Sequence, residues 1–75
     1  MSKEENLKRL KMALTNREDL IVLDNGEEWV YLKYEDNEYR GRVIKTGLEL
    51  GIWSIEFLLE IINGGVKGLM IKIYE

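Results

Sequence analysis

The stretch Trp29-Val30-Tyr31-Leu32-Lys33-Tyr34, followed a short turn later by Tyr39-Arg40-Gly41-Arg42-Val43-Ile44, leaves this chain little choice but a β-hairpin. Aromatic and β-branched residues alternate with other types on both sides of a polar Glu35-Asp36-Asn37-Glu38 break, as two pleated strands around a turn require. Centring the turn on Asp36-Asn37 sets Tyr34 opposite Tyr39, Leu32 opposite Gly41 and Val30 opposite Val43. Glu28 then meets Lys45 as a cross-strand charge pair. Glu35 faces Glu38, and their repulsion predicts a loop opened to four residues with the register unchanged.

A second turn fixes a third strand. Leu20-Ile21-Val22-Leu23 ends at Asp24-Asn25-Gly26-Glu27, and Asn-Gly is the strongest two-residue hairpin signal because a type I′ turn needs positive φ at both centres. The predicted pairs are Leu23 with Glu28, Val22 with Trp29 and Ile21 with Val30. One sheet face then carries Ile21, Leu23, Val30, Leu32, Tyr34, Tyr39 and Val43. The other carries Leu20, Val22, Trp29, Tyr31 and Ile44, with Lys33, Arg40 and Arg42 toward the second turn. A solvated sheet face should read polar. This one does not, so part of it needs cover from a helix, a second copy of the chain or a ligand.

Helices flank the meander. Ser2-Lys3-Glu4-Glu5 has the spacing of a capping box, and Leu7, Leu10 and Leu14 form one apolar stripe, predicting a helix over 3–15. Ser54 suits an N-cap, with Trp53 and Leu58 as a hydrophobic staple. Ile55, Phe57, Leu58, Leu59, Ile61 and Ile62 make this second helix apolar around most of its circumference, and Gly64-Gly65 supplies its left-handed C-cap. Leu69, Ile71 and Ile73 alternate with Met70, Lys72 and Tyr74, a final strand over 69–74. The segment Thr46 to Gly51 reads equally as strand end or loop. The expectation is a single α+β domain in the order α-β-β-β-α-β: a meander over 20–45, extended by the C-terminal strand and packed by two helices.

Composition narrows the chemistry. The 75 residues include no cysteine and no histidine, which removes disulfides, thiolate metal sites and the commonest general base. Ser2, Thr46 and Ser54 have no base to activate them. Gly64-Gly65-Val66-Lys67-Gly68 follows a helix and precedes a strand, the reverse of a phosphate loop, and reads as a cap and turn. Glu56 and Glu60 lie one helical turn apart and need a third carboxylate to hold a cation. The reading is therefore a non-catalytic chain with no metal and no cofactor. Met1-Ser2-Lys3-Glu4-Glu5 does not resemble a signal peptide, and the most apolar stretch is too short and too charged to span a bilayer. A cytoplasmic protein without membrane contact is expected. The Lys-, Glu-, Ile- and Asn-rich composition points to an AT-rich, phage or mobile-element source.

Trp29, Tyr31, Lys33, Arg40 and Arg42 form the candidate partner-binding set. Tryptophan, tyrosine and arginine dominate protein–protein hot spots, and the net charge of −3 favours a protein partner over nucleic acid. The alternative is single-stranded nucleic acid stacked on the aromatics and neutralised by the cations, an arrangement that would also explain Lys33 opposite Arg40. Val22, Trp53, Phe57 and Ile61, with Trp29, are candidates for self-association as a homodimer, because helix two and a sheet apolar on both sides exceed what a small chain hides. The α-β-β-β-α order is shared with double-stranded RNA-binding domains. Ser54-Ile55-Glu56-Phe57 stands where those domains place basic residues, so the shared order carries no function.

Overall fold

Two turns built from residues that tolerate positive φ organise the sheet in the computed structural model, which describes residues 3–75. Asn25 (φ 50°) and Gly26 (φ 87°) close the first hairpin, and Asp36 (φ 54°) and Asn37 (φ 66°) close the second. Both are type I′ turns, whose twist matches that of the strands they join. The second loop therefore does not open to four residues. Glu35 and Glu38 remain cross-strand partners, because Lys33 lies 3.9 Å from Glu35 and Arg40 lies 3.5 Å from Glu38. Each carboxylate gains a cation on its own strand, which offsets the repulsion across the pair.

The elements run α1 (Lys3–Thr15), β1 (Leu20–Asp24), β2 (Glu27–Glu35), β3 (Glu38–Val43), β4 (Glu49–Trp53), α2 (Ile55–Ile62) and β5 (Leu69–Ile73). They form an α+β fold with one antiparallel five-stranded sheet in the order β4-β3-β2-β1-β5. The meander and the C-terminal extension stand as the sequence predicts, and β4 adds a strand where the sequence was ambiguous. No described helix is long and apolar enough to cross a membrane.

Both helices end as backbone sterics dictate. Ser54 Oγ accepts from Phe57 N–H at 3.1 Å. At the other end Gly64 N–H donates to Ile61 O and Gly65 N–H to Glu60 O, the paired bonds of a Schellman motif with Gly64 at φ 82°. α1 closes the same way, with Glu18 N–H on Ala13 O and Arg17, a non-glycine residue, at φ 60°. The Ser2 half of the capping box lies outside the described residues.

The predicted register of the second hairpin is observed from Tyr34 with Tyr39 through Val30 with Val43. The first hairpin departs from it. Leu23 does face Glu28, but Val22 then faces Val30 and Ile21 faces Tyr31. Trp29 is the extra residue of a β-bulge, and one extra residue moves the rest of β1 to the other face. Leu20 and Val22 thus join Val30, Leu32 and Tyr39 in the core with Leu10, Leu14, Leu58, Ile61 and Ile71. Ile21 and Leu23 are not part of that set as predicted. Ile21 pairs between Tyr31 and Lys72 on the outer face and is nevertheless buried. The expected cross-strand pair of Glu28 with Lys45 is absent, and Glu28 instead holds Lys72 on β5.

Candidate functional site

The outer face of the sheet, away from the helices, presents the exposed ionic side chains of β2, β3 and β4. Strand alternation puts Tyr31, Lys33, Arg40 and Arg42 on it together. Arg42 meets Glu49 at 2.9 Å, and Ile52 sits opposite Arg40. Tyr31, Lys33, Arg40, Arg42 and Glu49 line a concave groove of about 470 Å³ with Glu35, Val43 and Ile44, along the backbone of Gly41 and Gly51.

Charge on this face is balanced. Lys33 pairs with Glu35, Arg40 with Glu38, Arg42 with Glu49 and Lys72 with Glu28. Every one of these pairs is largely exposed, so each contributes only about 0–1 kcal/mol. The juxtaposition of Lys33 and Arg40, unfavourable unless an anion or acid lies close, is met by the chain's own Glu35 and Glu38. The face offers a polyanion no net positive field.

Tyr31 is fixed rather than free to stack. Its hydroxyl donates to Asp19 Oδ2 at 2.6 Å, and Asp19 Oδ1 accepts from Tyr34 N–H at 3.2 Å. Its ring lies 4.9 Å from that of Tyr74. The hydrogen bond to the Asp19 carboxylate, with partial burial and the nearby negative charge, pushes the Tyr31 hydroxyl from 10 up to about 12. Tyr31→Phe removes a bond to a charged group and is expected to lower unfolding stability by about 1–2 kcal/mol in a urea titration. The sequence offered no signal for Asp19, because its role depends on contacts to residues far along the chain.

Trp29 does not belong to the outer face. The bulge turns it toward the helix side, where its ring lies 6.0 Å from Trp53, and Trp53 lies 5.5 Å from Phe57. Trp29 and Trp53 are half-buried against the core. Of the residues assigned to self-association, Val22 and Ile61 are buried within the single chain and offer no contact surface, whereas Phe57 is exposed. α2 buries one side only, through Leu58, Ile61 and Ile62, and leaves Ile55 and Phe57 toward solvent. The sequence reading missed the apolar rim that Ile44, Leu48, Leu50 and Ile52 make along β4 and the loop before it. Alternation of Leu48, Leu50 and Ile52 was its only visible trace.

No group of three or more carboxylates that could hold a metal is present among the described residues. Comparison with protein-family models, with curated proteins and with solved structures returned no match.

Proposed function

We propose that this chain is a non-catalytic interaction module that binds a protein partner on the outer face of its sheet, at the groove beside β4. The observation that carries this reading is the groove itself: a concavity of about 470 Å³ with cations already matched by carboxylates, lined in part by exposed Ile44 and flanked by exposed Ile52, the cross-strand neighbour of Arg40. An apolar anchor surrounded by polar groups of both signs is the anatomy of a protein interface. Nucleic acid would have to displace Glu35, Glu38 and Glu49 to gain the same cations. A partner surface supplying one apolar side chain and a few hydrogen bonds would not. Absence of cysteine and the Lys/Glu/Ile/Asn-rich composition support placing this module in the cytoplasm, encoded by a phage or mobile element.

Arg42→Glu and Ile52→Asp alter exposed side chains on this face, and Met12→Asp alters an exposed side chain on α1. The protein captured by the tagged chain should be lost with the first two changes and retained with the third. Equal capture by all three would mean that the wrong surface has been chosen. Fluorescence anisotropy with labelled single-stranded and duplex oligonucleotides at low salt should show no binding at tens of micromolar. Sub-micromolar binding that weakens with salt and fails in Arg40→Ala/Arg42→Ala would establish the nucleic-acid alternative instead.

A further inference from the structure

The two edges of the sheet differ. β4 is interrupted by a bulge opposite Gly41 and Arg42, and Gly51 within it has φ 82°; such irregularity blunts an edge. β5 is regular, pairing with β1 from Asp24–Leu69 to Leu20–Ile73 without a register shift, and among the described residues no strand lies on its other side. Its one cation, Lys72, is already held by Glu28. A straight apolar edge of this kind is a template for another strand.

The sequence around β5 specifies which strand. Leu69-Met70-Ile71-Lys72-Ile73 is complementary to itself when reversed about Ile71. Antiparallel pairing of two copies about that point sets Ile71 against Ile71, Leu69 against Ile73 and Met70 against Lys72. Both mixed pairs occur twice by symmetry.

Space for the incoming side chains is already present. A groove of about 210 Å³ lined by Leu7, Leu10, Ile61, Ile62 and Leu69 lies where Ile73 of a second copy would enter. A second groove of about 310 Å³, along Asn6, Arg9, Leu10 and Ile73, lies where Leu69 of that copy would enter. From this regular free edge, its self-complementary register and the room beside it, we propose that β5 is a self-pairing edge and that two copies join along it, about a two-fold axis at Ile71, into one continuous sheet. This dimer uses the edge opposite the proposed partner face and does not depend on it.

Sedimentation equilibrium on the full chain between about 5 and about 500 µM tests it, since so small a seam gives a dissociating dimer. Wild type should pass from monomer to dimer within that range. Met70→Lys, at a position 58 % exposed, sets an ammonium opposite Lys72 twice and should weaken association on the order of tenfold or more. Met70→Glu at the same site should preserve it. Amide exchange at the free edge of β5 should slow as protein concentration rises. A monomer throughout, a dimer indifferent to Met70→Lys, or one lost only with Ile52→Asp overturns the proposal.

Discussion

Gly41→Val is expected to unfold the β3–β4 corner and to destabilise the chain by about 3 kcal/mol. A Cβ at Gly41 would overlap Trp53 Nε1 and lie 2.9 Å from Cδ1 of the same ring. The indole rests on bare backbone here, because Gly41 and Gly51 face each other across the ladder. Any side chain at Gly41 must therefore lift Trp53, and with it the contacts to Trp29 and Phe57. Small single-core domains rarely hold more than about 3–5 kcal/mol. The expected readout is a chemical-denaturation midpoint near zero denaturant, with β4 and α2 the first elements to lose amide protection. Retention of wild-type stability would show that Trp53 has another seat of equal energy.

Tyr39→Ala should be at least as damaging. Tyr39 is 1 % exposed and among the largest fully buried side chains. Its hydroxyl donates to Glu18 O at 2.8 Å, and its ring meets Tyr34 edge-on at 5.0 Å. Removing a buried aromatic costs about 3–5 kcal/mol, enough to leave this chain largely unfolded at ambient temperature. Tyr39→Phe isolates the hydroxyl and should cost about 1 kcal/mol. Alkali probes the same contact without mutation. Burial, and then the nearby Asp19 charge, push the Tyr39 hydroxyl from 10 up to about 12. The folded state thus holds its proton more tightly than the unfolded chain. The resulting stability is complete below pH 10 and is lost as pH rises through 12. Urea midpoints measured across that interval should fall steeply in wild type and less steeply in Tyr39→Phe.

How much of this was legible in the sequence depended on whether two readings competed locally. Between Trp29 and Ile44 apolar and polar residues alternate strongly, so Leu32 opposite Gly41 could be derived and is observed. Leu20-Ile21-Val22-Leu23 is apolar at every position, so either alternate pair could face the core. The bulge at Trp29 chose Leu20 and Val22, and nothing local encodes that choice. It also removed Trp29 from the partner-binding set, while Lys33, Arg40 and Arg42 remained on the outer face where alternation placed them. β4 was obscured by Gly47 and Gly51, which interrupt a weak alternation but are what its turn and bulge require. Asp19 was invisible for a different reason. An acid in a helix–strand loop becomes a hydrogen-bond hub only once Tyr31 and Tyr34 are folded onto it.

The contact between Trp29 and Trp53 has an optical consequence. The two indoles lie 6.0 Å apart with their planes inclined at 68°, close and oblique enough for their excited states to mix. Such a pair adds a two-signed couplet to the ultraviolet circular dichroism of the folded chain, above the backbone signal. The couplet vanishes when either ring leaves, even with the helices and the rest of the sheet intact. These are the only two tryptophans in the chain, so this corner carries its own spectroscopic clock, and the docking of β4 can be timed in stopped-flow refolding without a label.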